Sequence, residues 1–275
     1  MANHPAMIPG NVAVITGGAD GIGLAAARYF QSLDMRVCIA DIDSEKLQAA
    51  ASELDGALAV TTDVSNLPDV SALKEKVCAS WGKVNILMNN AGVDGKCGSW
   101  EGYDTWNRIL QVNLWGVLNG IHTFAPAMIA QGTPDLIINT GSKQGITTPP
   151  GNPAYNASKS AVKSVTEALE HDLRNKEGCQ VRAHLLVPGF TYTGLIKKFL
   201  PEKPDAAWMP DQVVEFMVES LRRGDFYILC PDNDVTREID NKRMAWAMGD
   251  LIENRPALSR WHPDYLVAFE AFMSG

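Results

Sequence analysis

A chain of 275 residues with 46% hydrophobic and 20% charged side chains has the composition of a globular protein, not of a disordered or fibrous one. Its 24 basic and 32 acidic residues leave a net charge of −8, with no block of positive charge to neutralise phosphates, which speaks against a nucleic-acid binder. No apolar run approaches the ~20 residues of a bilayer span, and the opening MANHPAMIPG lacks the continuous apolar core of a signal peptide.

Seven short apolar runs recur along the chain, at 12–15, 37–40, 58–60, 86–88, 136–138, 184–187 and 226–230. Continuous apolar runs of this length suit parallel strands covered on both faces. Several end in small polar residues (Asp41, Asp63, Asn89, Asn139), where an α/β sheet presents groups to a ligand. Between them the spacing predicts helices over about 22–33, from 44 with Ser44 as N-cap, and over about 68–77, 105–128, 153–176 and 210–221. This alternation predicts one doubly wound α/β domain over 1–275, its parallel sheet of about seven strands having helices on both faces. Residues 190–210 are irregular, mixing aromatic and aliphatic side chains with three prolines. Residues 231–275 form a tail with an expected helix at about 236–254, where Met244, Met248 and Leu251 share a face. The cysteines at 38, 78, 97, 179 and 230 are odd in number and far apart, the usage of a reducing compartment, so a soluble cytoplasmic protein is expected. The five histidines are scattered, with no HExxH and no Cys/His cluster, and no metal is expected.

The first run leads into Thr16-Gly17-Gly18-Ala19-Asp20-Gly21-Ile22-Gly23. Glycines there permit a tight turn and bring backbone amides to a pyrophosphate at the positive end of the following helix. A ligand-free βα turn is the plainer reading of the glycines alone. Asp41 closes the second run about twenty residues on, where a carboxylate accepts hydrogen bonds from an adenosine ribose and repels a 2′-phosphate. Asp20 adds a second negative charge, so NAD is expected over NADP; a helix N-cap is the other reading of Asp41. Tyr155 and Lys159 lie one helical turn apart and face the same way. A free phenol has a pKa of about 10. A neighbouring ammonium lowers it toward a usable proton acceptor or donor.

Thr16–Gly23, Asn89-Asn90-Ala91-Gly92, Asn113, Ser142, Tyr155-Asn156-Ala157-Ser158-Lys159 and Pro188-Gly189-Phe190-Thr191 occur in an order and spacing that resemble the short-chain dehydrogenase/reductase family from about residue 8 to 230. The resemblance implies a Rossmann-type fold and hydride transfer between a substrate C–H and NAD, with Tyr155 as general acid/base. It further implies that Lys159 lowers the Tyr155 pKa and bonds the nicotinamide ribose, that Ser142 orients the substrate oxygen, and that Asn113 fixes a water in a proton relay. Gly17, Asp20, Gly21, Ile22, Gly23 and Asp41 match the cofactor-binding turn and strand end. Asp63 and Val64 match the positions that hold the adenine. Asn90, Ala91 and Gly92 would line the cofactor cleft, and Pro188, Gly189 and Thr191 its nicotinamide end.

Two departures qualify the likeness. Lys143-Gln144 stands where the family has small residues, so either a larger polar group enters the substrate pocket or Lys143 points to solvent. The tail after residue 230 replaces a short Gly-rich ending, which points to a homo-oligomer other than the usual tetramer, such as a dimer, or to a helix packed on its own subunit. Residues 190–210 sit where relatives carry a lid; Gln144, Leu195, Trp208 and Trp100 are candidates to line a mostly apolar pocket for an aliphatic or aromatic alcohol or ketone. The rival readings are a carbonyl reductase working in the opposite direction and an NAD(H)-binding sensor or scaffold without turnover.

Overall fold

The computed structural model describes residues 3–275 and contains a seven-stranded sheet. Its strands are β1 (Val12–Thr16), β2 (Arg36–Asp41), β3 (Leu58–Thr61), β4 (Ile86–Asn89), β5 (Leu136–Thr140), β6 (Arg182–Val187) and β7 (Tyr227–Leu229). They lie in the order β3-β2-β1-β4-β5-β6-β7, all pairings parallel. The fold is therefore the doubly wound, Rossmann-type sheet that the alternation of runs predicts. The chain winds from β1 out to β3 and returns to the other side of β1 as β4. That reversal leaves a crevice beyond the carboxyl ends of β1 and β4, the place where such sheets bind ligands.

The helices are α1 (Gly21–Ser32), α2 (Ser44–Ser52), α3 (Leu67–Trp81), α4 (Tyr103–Leu110), α5 (Gly116–Gln131), α6 (Gln144–Thr147), α7 (Pro153–Asn175), α8 (Gly194–Lys197), α9 (Pro210–Arg223), α10 (Arg237–Ile252) and α11 (Leu266–Ser274). Alternate strand residues feed two apolar layers, as the two-residue period of a strand requires. Ala13, Ile15, Ile39, Met88 and Ile138 pack against Phe30 of α1, Leu47 of α2 and Met217 of α9. Val14, Cys38, Leu87, Ile137 and Leu185 pack against Leu73 of α3, Phe124 and Met128 of α5, and Val162 and Leu173 of α7. At the strands' other end, Asn85 accepts from the Val12 amide at 3.0 Å and donates to Asp135 at 2.8 Å, tying the starts of β1, β4 and β5 together.

Three local expectations are corrected. Asp43, not Ser44, caps α2, its carboxylate accepting from the Lys46 amide at 3.1 Å. The single helix expected over 105–128 is α4 and α5 joined by a π-helical turn, Gln111–Trp115. In α10 the residues that turn inward are Asp240, Trp246 and Gly249, while Met248 and Leu251 face outward with Ile252. The polar residue turns in because partners wait for it: Lys143 meets Asp240, and Ser259 accepts from the Trp246 indole at 2.8 Å. No helix among the described residues is long and apolar enough to cross a membrane.

Candidate active site

A cleft of about 430 Å3 opens at the carboxyl ends of the strands. Its first wall is the turn between β1 and α1. Gly17 holds a left-handed φ of +63°, and a Cβ on Gly23 would stand 2.2 Å from the Gly17 carbonyl oxygen, so only glycine lets α1 close onto the turn. Asp20 caps α1, accepting from the Gly21 amide at 2.6 Å. Thr16 braces the turn from below: its hydroxyl accepts from the Asn90 amide at 3.0 Å and the Ala91 amide at 3.2 Å. Asn90 returns the contact, donating its side-chain amide to the Thr16 and Gly17 carbonyls at 3.1 and 3.3 Å.

Asp41 ends β2 at the cleft, held by the Ala19 amide at 3.3 Å and the Asp43 amide at 3.1 Å. Lys46 also reaches this rim, and its ammonium is shared with Asp43 at 3.6 Å. A pinched glycine turn, a helix N-terminus aimed at the cleft and a carboxylate at the neighbouring strand end fit a dinucleotide.

The other end of the cleft holds the candidate chemistry. Tyr155 and Lys159 project from the first turns of α7, and Ser142 follows β5. Burial pushes the Tyr155 phenol up to about 12, with the Asp94 carboxylate adding to the rise and the neighbouring Ser142 hydroxyl opposing it. Burial alone pulls the Lys159 ammonium down to about 8. Lys159 donates to the Thr140 carbonyl at 2.7 Å and sits 5.8 Å from the centre of the Tyr155 ring. In this geometry desolvation outweighs the lowering expected of Lys159, because the ammonium is bound to the β5 strand end and itself loses charge stability. Asn113 is fully buried in the π-turn. It clamps Val93 from both sides, accepting from its amide at 2.8 Å and donating to its carbonyl at 3.0 Å, and reaches the Ser158 hydroxyl at 3.1 Å.

Most of the residues singled out in the sequence meet on this cleft: Gly17, Asp20, Gly21, Ile22 and Asp41 at one end, Asn90, Ala91 and Gly92 along the floor, and Ser142, Gln144, Tyr155, Lys159, Pro188, Gly189, Thr191 and Leu195 at the other. Gly23 and Asn113 support the wall from behind. Asp63 and Val64 stand off the lining: Asp63 is engaged by Ser65, and the Val64 carbonyl accepts from Asn119 at 2.9 Å. Trp208 is corrected, since it pairs with Thr191 in a β-bridge and packs on Phe216 with ring centres 6.1 Å apart. That bridge, closed by bonds from the Tyr192 amide to Trp208 and from the Trp208 amide to Phe190, pins the base of the 190–210 segment. Trp100 is corrected too, being 88% exposed and off the cleft.

Asp94, Thr140, Gly141, Ile196, Lys198 and the Thr193-Gly194 pair also line the cleft and were not anticipated. Asp94 sits two residues past the Asn-Asn-Ala-Gly run, a position that motif reading could have extended to. Lys143 lines the cleft beside Gln144 and does not point to solvent; its ammonium is turned inward onto Asp232 and Asp240.

Residues 11–204 match the short chain dehydrogenase family. The chain is 29% identical over 259 residues to the 1-deoxy-11-beta-hydroxypentalenate dehydrogenase of Streptomyces exfoliatus, covering 90% of this chain and 93% of the relative. It is 33% identical over 200 residues to the 3beta-hydroxysteroid dehydrogenase 2 of Eggerthella lenta, covering 70% and 76% of the two chains. Among solved structures, a short chain dehydrogenase/reductase from Burkholderia phymatum in complex with NAD superposes with a TM-score of 0.82 at 33% identity, over 93% of this chain and 98% of that one.

Proposed function

Because the chain belongs to the short-chain dehydrogenase/reductase family and is an oxidoreductase, we propose that it interconverts a secondary alcohol and a ketone with NAD, using Tyr155 as general acid/base. The observation that carries this reading is the convergence of Ser142, Tyr155 and Lys159 at one end of a cleft whose other end is built of the glycine turn and Asp41. NAD, when bound, would supply the hydride acceptor. The Thr16–Gly23 turn, Asp41 and the Asn90–Gly92 floor would hold its adenosine and pyrophosphate, and Lys159 with Pro188, Gly189 and Thr191 its nicotinamide half.

In the oxidising direction Tyr155 takes the hydroxyl proton while Ser142 holds the same oxygen in place. Lys159, still mostly protonated at neutral pH, stabilises the phenolate that must form before Tyr155 can take that proton. Asp41 supports NAD over NADP, since Lys46 is already shared with Asp43 and a 2′-phosphate would meet the Asp41 carboxylate. Leu195, Ile196 and Phe190 favour an apolar substrate body, with Asp94 and Gln144 as polar positions on the same wall. Reduction of the ketone is a second reading, favoured by a phenol that burial keeps protonated and able to donate. We place the protein in the cytoplasm, a reading its five unpaired cysteines support, and propose a homo-oligomer, dimer or tetramer, to be measured by light scattering.

The test is NADH formation with NAD and, separately, NADP across aliphatic, aromatic and steroidal secondary alcohols. Tyr155→Phe should cost about a hundredfold to ten-thousandfold in kcat. NADH affinity by calorimetry should stay close to that of the unsubstituted protein. Undiminished turnover in that variant refutes the assignment.

A further inference from the structure

Lys143 directly follows Ser142, and its side chain, only 18% exposed, turns away from solvent into a buried charge cluster. Its ammonium lies 2.7 Å from Asp240 Oδ2 as a close ion pair and 3.4 Å from Asp232 Oδ2. Asp240 belongs to α10, in the tail that follows the sheet. Asp232 faces two ways: Oδ2 accepts from the Phe190 amide at 3.1 Å, while Oδ1 accepts from the Val235 amide at 2.8 Å and the Asp234 amide at 3.2 Å at the entry to α10. The carboxylate also presses on Gly189, where a Cβ would stand 2.8 Å from Oδ2.

Beyond the pairing of β5, β6 and β7 from which they emerge, one ammonium therefore joins three pieces of chain: the loop bearing Ser142, the Pro188–Thr191 segment (through Asp232) and the tail helix. Both carboxylates are nearly buried, with side chains 6% and 7% exposed, so neither can drop the lysine for water without the surrounding elements moving apart. We propose that Lys143 is a positioning residue that clamps the α10 tail, through Asp240 and Asp232, onto the Ser142 loop and the Phe190 amide, fixing the spacing between the oxygen-orienting hydroxyl and the nicotinamide-end segment. This rests on the dehydrogenase reading for its catalytic consequence, while the clamp itself is a property of the fold. It gives the tail a task inside its own subunit.

The test uses the full chain with NADH as ligand and compares Lys143→Met, Lys143→Arg and Asp240→Asn, reading both amide hydrogen exchange over 186–192 and steady-state kinetics. Lys143→Met should speed exchange at the Phe190 amide by about tenfold or more. It should lower kcat by about tenfold to a hundredfold, with the alcohol KM held within about threefold, the pattern of a misplaced group rather than a lost binding contact. Lys143→Arg, which keeps the charge, should recover most of both. Asp240→Asn keeps the shape and should fall between them; it carries the test if Lys143→Met does not fold. Unchanged exchange in both Lys143→Met and Asp240→Asn overturns the clamp, as does an Arg variant as impaired as the Met variant. If the unsubstituted protein turns over no alcohol, the dehydrogenase reading fails and the exchange data alone decide the clamp.

Discussion

The two ends of the cleft are built from different materials. At the cofactor end the wall is backbone: a carbonyl beneath Gly23, two amides on the Thr16 hydroxyl, two carbonyls under the Asn90 amide. At the substrate end the wall is held by charged side chains distant in the sequence, Lys143 and Asp232 being 89 residues apart. Backbone contacts tolerate almost no change of shape, because the carbonyl and amide positions are fixed by the strands that carry them. A side-chain clamp can be retuned by single substitutions. The same sheet can thus hold one constant ligand at one end and vary its choice of substrate at the other.

The comparison is tested most severely at Gly23. Gly23→Ala drives a methyl into the Gly17 carbonyl and should cost about 2 kcal/mol or more in thermal or urea unfolding, together with cofactor affinity. An alanine variant with native stability would mean that the backbone wall yields. Asp41→Ala should raise the NADP-to-NAD ratio of kcat/KM by about fivefold or more, since two like charges 4 Å apart repel by about 1 kcal/mol even in bulk water.

At the other end, Asp94→Asn removes a negative charge that raises the Tyr155 pKa. The phenol then deprotonates more readily, so the acidic limb of the kcat/KM profile for oxidation should move to lower pH; a move to higher pH contradicts the role given to Tyr155. Leu251→Glu should be the mildest, because that side chain is 78% exposed. Its unfolding free energy should change by no more than about 0.5 kcal/mol.

The difference between the two ends also explains what could be read from the chain. Residues 16–23, 41 and 89–92 carry their geometry in contiguous stretches at strand ends, so type and spacing suffice to find them. Tyr155 and Lys159 are legible because a helix fixes their relative direction. The fate of Lys143 is not local: whether it meets solvent or a carboxylate depends on where α10 folds back, and nothing in residues 140–147 encodes that. Periodicity misjudged α10 for the same reason, since Asp240 turns inward to meet a partner nearly a hundred positions away while Met248 and Leu251 turn out. Trp208 was legible as a large apolar residue near the lid, but the β-bridge to Thr191 that takes it off the cleft is a long-range pairing.

The π-turn at Gln111–Trp115 makes helix length itself a determinant of the site. A π-turn amounts to one residue inserted into an α-helix, and removing it would restore regular winding while swinging α4 by about 100° relative to α5. Asn113 would then leave Val93, and Trp106, whose indole donates to the Gly98 carbonyl at 2.9 Å, would lose that anchor. A one-codon deletion anywhere in this stretch should therefore harm the protein more than most substitutions within it. Aligning this helix with those of other chains calls for counting residues before comparing them.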